Sequence, residues 1–219
     1  ISCLAIDNKI MQTANTALHR HFVRLAHYNK WANNKLCTRL STLQEKNKNL
    51  LSRNADLYFG SIMGTLAHIY VADALWSMRI GHAKVRPHTC IDSFYRNLQY
   101  SQLCGLWGED DADFSNQQLL HTKWEQVILK AANVDTKDEA QVFQVIKNNL
   151  MEQSEAWIQF VETANPEKWE DEFKYLSTSG EDMVRKRGHT MDHIFNHATH
   201  HRGQITSAIT RFCGKNAAP

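Results

Sequence analysis

The sequence is poor in the residues that interrupt helices. Three prolines and nine glycines are spread over 219 residues, while alanine, leucine, glutamine, lysine and histidine are abundant. Because proline breaks a helix and glycine weakens one, this composition favours a mostly helical protein. The length is typical of one domain. We therefore expect a single helical domain over residues 1–219, with its core at about residues 16–213.

Other absences argue against whole classes of function. No apolar run approaches the roughly 18 residues of a membrane-spanning helix. The formal net charge is only +2, and the basic residues are scattered, which argues against binding to nucleic acid. One short basic run, residues 185–187, is interpreted as a solvated turn. The five cysteines are odd in number and form no C-x-x-C motif. We therefore expect free thiols, a cytoplasmic location, and no membrane or nucleic-acid partner.

Apolar residues recur with the helical period in four segments. These predicted helices cover about residues 16–40, 57–80, 137–163 and 189–212. The long connection at residues 82–115 indicates a crossover between the second and third helices, and a shorter helix is expected at about 116–133. Aromatic residues on both sides of Ser179-Gly180 are typical of a β-hairpin. The sequence thus predicts an all-α four-helix bundle with a small hairpin before its last helix.

The fourth predicted helix carries a series of histidines at intervals of four residues. They are His189, His193, His197 and His201, and two imidazoles at this spacing can bind one metal ion. The buried stripe of this helix is defined by Ile194, Ala198, Ile205, Ala208 and Phe212. His201 lies about 20° and His197 about 60° from the centre of that stripe, whereas His193 and His200 lie about 100° or more away. The inward pair is therefore His197 and His201.

A third ligand has to come from another helix, and His68 is the best candidate. Small and apolar residues such as Gly64 and Ala72 share its face of the second predicted helix, so its imidazole is expected to point inward. A single inward histidine is more often structural than functional, and an H-x-x-x-H pair is a weak signal by itself. On these residues alone, a metal site and a group of structural histidines both remain open.

Three segments of the chain resemble the DinB family, also described as DinB-like or YfiT-like metalloenzymes. They are residues 28–33 in the first predicted helix, 64–76 in the second and 196–204 in the fourth. The resemblance extends over about residues 18–213. It implies an up-down-down-up bundle, a homodimer, and one divalent metal ion (zinc, nickel or iron) on His68, His197 and His201.

The resemblance also implies a function. Several relatives are thiol-dependent transferases or isomerases that use bacillithiol, mycothiol or glutathione. We expect an enzyme that activates a low-molecular-weight thiol or water at the metal and acts on a small-molecule substrate. A metal-dependent hydrolase and a non-catalytic stress protein that binds metal or a small molecule are the alternatives.

The sequence does not identify a general acid or base. Four residues are candidates for supporting roles near the metal: Tyr28, Asp73, Arg202 and Gln204. Gly203 is expected to permit a close approach between helices, because glycine has no Cβ.

Overall fold

The computed structural model describes residues 3–80, 135, 137–177 and 181–219. Within these residues the chain forms four α-helices and two antiparallel strand pairs. The helices are α1 (Cys3–Lys46), α2 (Ile62–Arg79), α3 (Glu139–Thr163) and α4 (Arg187–Cys213). The strands are β1 (Asn54–Leu57) and β2 (Gly60–Ser61) before α2, and β3 (Glu172–Leu176) and β4 (Asp182–Lys186) before α4. Over the described ranges no helix combines the length and the hydrophobicity needed to span a bilayer.

The four helices form an up-down-down-up bundle. Both α1 and α2 pack against α3 and α4. The helix directions follow from pairs of contacts. Helices α1 and α3 are antiparallel, since His27 contacts Glu162 and Asn33 contacts Ser154. Helices α1 and α4 are parallel, since His21 contacts Asp192 and Asn33 contacts Arg202. Helices α2 and α4 are antiparallel, since His68 contacts His201 and Ile80 contacts Arg187. Therefore α1 and α4 point one way, and α2 and α3 point the other way.

The interior consists of two apolar clusters with polar side chains between them. One cluster is centred on residues such as Leu40, Leu66 and Ile146, and the other on Phe22 and Trp157. The side chains between them come from all four helices and are at least 93% buried: Asn29, Asn33, Asp73, Ser154 and Arg202. We call these five residues the polar layer. Buried polar groups require hydrogen-bond partners, so this layer restricts how the helices can be aligned.

The predicted architecture is confirmed, and its boundaries are corrected in several places. The first helix extends well beyond residues 16–40, because no helix breaker interrupts the chain before Lys46. The second begins at Ile62 rather than near residue 57, since residues 54–61 form a tight hairpin with Asp56 and Gly60 at positive φ. The hairpin before α4 is present. The expected turn at 179–180, the crossover at 82–115 and the helix at 116–133 lie outside the described residues.

Close backbone approach occurs at Gly64, not at Gly203. A Cβ on Gly64 would lie 2.3 Å from the carbonyl oxygen of Phe59, which is far inside van der Waals contact. A Cβ on Gly203 would meet nothing within 4 Å, so the expectation for that residue is wrong. The absence of a side chain at Gly64 lets the β1–β2 hairpin sit directly on the first turn of α2.

We predict that Gly64→Ala destabilises the protein by about 1–3 kcal/mol, because the new methyl group forces the backbone at Phe59 to move. Gly203→Ala is the matched control. It should leave stability unchanged or raise it by up to about 1 kcal/mol, since alanine is the better helix former and space is available. Urea unfolding midpoints measure both effects. Equal midpoints for the two variants would contradict the close contact at Gly64.

Candidate metal centre

The imidazoles of His68, His197 and His201 meet where α2 crosses α4. The Nε2 atom of His197 lies 3.0 Å from that of His68 and 3.1 Å from that of His201. One ring nitrogen from each residue lies within 4.8 Å of the other two. His197 and His201 are neighbours because residues four apart share a face of α4. His68 reaches them because α2 runs antiparallel to α4.

Two of these histidines, His197 and His201, are kept neutral by their surroundings. His201 is 7% exposed, and the other two are partly buried. Burial, with smaller contributions from the neighbouring imidazoles of His201, His193 and His200, lowers the pKa of His197 to about 3. Burial likewise lowers the pKa of His201. Because the imidazolium form is disfavoured, His197 and His201 each offer a nitrogen lone pair at neutral pH.

Gln204 determines which nitrogen of His201 carries the proton. Its Oε1 lies 2.8 Å from His201 Nδ1, and its Nε2 lies 3.1 Å from a ring nitrogen of His200. An amide oxygen only accepts, so His201 Nδ1 donates and its Nε2 keeps the lone pair. This lone pair points toward His197. A hydrogen bond from the outer nitrogen of a histidine is a common way to orient a metal ligand.

Phe59 fixes the orientation of His68. Its ring stacks on the His68 imidazole, with centroids 3.8 Å apart and an angle of 20° between the planes. The same ring meets His201 edge-on at 5.7 Å. The close approach at Gly64 places Phe59 in this position. The β1–β2 hairpin thus covers one side of the histidine cluster with an aromatic ring.

The polar layer holds α4 against α1 beside the histidines. The guanidinium of Arg202 donates to Asn29 Oδ1, to Asn33 Oδ1 at 2.8 Å, and to Thr199 Oγ1 at 2.9 Å. It also lies 5.7 Å from the centre of the Tyr28 ring. Since Arg202 follows His201 directly in α4, these contacts set the rotation of the helix at the cluster.

Asp73 is the buried acid of the polar layer. It is 1% exposed, and its Oδ2 accepts no hydrogen bond from the residues that the structure describes. Burial raises the pKa of this carboxyl to about 7, although the positive charge of Arg202 and a hydrogen bond from Trp157 act in the opposite direction. The side chain is therefore poised to exchange a proton near neutral pH.

The three imidazoles fit a metal ion. Ligand nitrogens that surround zinc tetrahedrally at about 2 Å are about 3.3 Å apart. The separations of 3.0 and 3.1 Å are close to that value. His197 Nε2 has one ring proton at most and so cannot donate to both neighbours at once. A cation is the partner that all three lone pairs can share.

A sequence model of the DinB family matches residues 11–215. The chain belongs to the DinB family. Among curated proteins and solved structures, none matches this chain significantly. Membership together with the three-histidine cluster fits a DinB-like protein that binds a metal ion.

The structure brings together the three histidines that the sequence singled out. Gln204 contacts His201 directly, whereas Arg202 and Asp73 belong to the polar layer. Tyr28 is 47% exposed beside Arg202. Sequence reasoning missed Phe59, because its position depends on the β1–β2 hairpin, which the periodic pattern does not reveal. The only hint in the sequence was that Phe59, an aromatic residue, lies five residues before Gly64, at the start of the segment 64–76 that carries His68.

We predict that Asp73 makes the stability of this DinB-family protein depend on pH. The unfolded carboxyl has a pKa near 4, and the folded one has a pKa of about 7. The native chain therefore retains a proton that the unfolded chain has lost, so this contribution to stability is full below about pH 4 and is lost as the pH rises to about 7. Asp73→Asn cannot ionise. Between pH 5 and 8 the free energy of unfolding, measured with urea, should fall on the order of 2–3 kcal/mol more in the wild type than in the variant. The prediction would be refuted if the unfolding free energies of the wild type and of Asp73→Asn changed with pH in the same way.

Proposed function

We propose that this protein is a metal-dependent enzyme that activates a low-molecular-weight thiol or a water molecule at His68, His197 and His201. The observation that carries the proposal is the convergence of the three imidazole nitrogens within 4.8 Å. Catalytic zinc sites commonly use three protein ligands and keep a further position for water or substrate. A divalent ion bound here would act as a Lewis acid and lower the pKa of a thiol or water.

The residues of the chain supply orientation and shielding for this chemistry. Gln204 sets the tautomer of His201, and Phe59 holds the plane of the His68 ring. His68 and His197 are only partly buried, so these imidazoles retain contact with solvent. A small molecule that reached the cluster would meet imidazoles that are already in place, which reduces the entropy lost on binding.

Neither of the two cysteines whose side chains the structure describes is a good candidate for the nucleophile. Cys37 is fully buried, and burial raises the pKa of its thiol to about 12. Cys213 lies in the last turn of α4, about three helical turns beyond His201. The proposal therefore takes an external thiol or water as the activated group.

The test compares His68→Ala with His189→Ala, an exposed histidine in the first turn of α4. Purified wild type and control should carry about one divalent ion per chain, and His68→Ala markedly less. Turnover is screened with several small thiols against an electrophilic aryl halide, and with water against activated esters. We expect activity in the wild type and the control, loss with a strong chelator, and at least a hundredfold reduction in His68→Ala.

The circular dichroism spectrum shows whether a loss of activity in His68→Ala arises from unfolding or from the loss of the imidazole. The His68→Ala variant should retain the helical signal, since His68 is partly exposed and its loss removes no apolar core residue. Equal metal content in all three proteins would disprove the site. Full metal content with no turnover in either screen would leave metal binding intact and overturn the enzymatic part of the proposal.

A further inference from the structure

Two arginines and a histidine surround Trp76 beside the candidate metal centre. The guanidinium carbon of Arg79 lies 4.8 Å from the centre of the Trp76 ring, and that of Arg185 lies 6.0 Å from it. The imidazole of His193 meets the same ring edge-on at 5.4 Å. We call Arg79, Arg185 and His193 the cationic cluster, because its two arginines carry the positive charge. Its members come from α2, β4 and α4.

The register of the β3–β4 hairpin places Arg185 on the side that faces the bundle. Arg185 pairs with Phe173, and Met183 pairs with Tyr175. Paired residues of an antiparallel sheet share a face, and alternate residues do too. Tyr175 packs against Trp76 at 5.2 Å, which identifies that face as the inner one. Arg185 lies at the rim of this face and remains exposed to solvent. Residues 185–187 form the end of β4 and the first residue of α4, so the interpretation of this run as a turn is wrong, whereas the solvent exposure expected for it holds at Arg185.

Two ring contacts connect the cationic cluster to the metal centre. His193 lies between Trp76 and His197, and its ring centre is 5.8 Å from that of His197. Burial lowers the pKa of His193, and the charges of Arg185 and Arg79 lower it further. Through Trp76 and His193, contacts therefore connect both arginines to the side of the metal centre.

Two acids of the described segments that are adjacent to these elements bind other residues. Asp192, the neighbour of His193 in α4, binds His21 of α1 at 3.4 Å. Glu170 binds Lys186 at 2.8 Å. Arg185 takes part in none of the ion pairs found in the part of the chain that the structure describes. Its planar guanidinium is suited to bind a carboxylate through two parallel hydrogen bonds.

We propose that the cationic cluster binds a carboxylate of the small molecule that reacts at the metal centre, with Arg185 as the main contact. This assignment of substrate class rests on the proposed function, because it takes the three-histidine cluster as the reacting end of the same ligand. The carboxylate belongs either to the thiol or to its acceptor, and the experiment distinguishes these sources.

The first arm uses glutathione and its diethyl ester as probes, which share a thiol but differ in carboxylate charge. Calorimetry on the zinc-loaded full chain measures both dissociation constants. We expect the free acid to bind about tenfold more tightly than the ester, as one charged hydrogen-bonding pair contributes about that much. Arg185→Gln should abolish the difference. Lys174→Gln is the matched control, because Lys174 lies on the outer face of the same hairpin, and it should keep the difference.

The second arm uses glutarate, which has carboxylates and no thiol. The carboxylate belongs to the acceptor if two results are found together. The wild type binds glutarate and Arg185→Gln does not, and the wild type binds glutathione and its diethyl ester with equal affinity. Arg185→Gln should keep the wild-type metal content, and His68→Ala should still bind glutarate, so failure of the metal site leaves this proposal separately testable. It is overturned if Arg185→Gln binds glutathione and glutarate as tightly as the wild type, or if the wild type binds neither.

Discussion

The convergence of three imidazole rings is the constraint that the rest of this structure meets. The three histidines come from two antiparallel helices and direct ring nitrogens at one another, at separations of 3.0 and 3.1 Å, where lone pairs that face each other repel. Protons can relieve only part of that repulsion, because Gln204 already holds the proton of His201 on the far side of its ring. A shared cation relieves it fully, which connects the geometry of the cluster to its proposed chemistry.

The rest of the bundle keeps these rings in place. The polar layer fixes the rotation of α4 through the contacts of Arg202 with α1, and the β1–β2 hairpin holds Phe59 against His68. Burial of Asp73 without a full set of partners reduces stability, since an ionised carboxylate in the interior is costly. Such a cost is common where a protein aligns groups for function rather than for stability.

Helical periodicity was sufficient to find the pair of inward histidines in α4. His197 and His201 lie on or beside the buried stripe of that helix, and the rotation of an ideal helix predicts this directly. The choice of His68 as a candidate ligand needed two observations: the small and apolar residues on its face of the second helix, and the His197–His201 pair in the fourth. The position of Phe59, the contact at Gly64 and the contact of Arg185 with Trp76 were not predictable in this way, because each depends on how a hairpin packs on a helix. Hairpin register and packing arise from tertiary contacts that a local pattern does not contain.

X-ray absorption at the metal edge of the purified wild-type protein tests the central claim most directly. Three imidazoles on one ion predict a first shell of nitrogen and oxygen at about 2.0–2.1 Å, with the outer-shell scattering of histidine rings. A shell of sulfur at about 2.3 Å, or an oxygen shell without ring scattering, would show that the ion is bound elsewhere and would contradict the account.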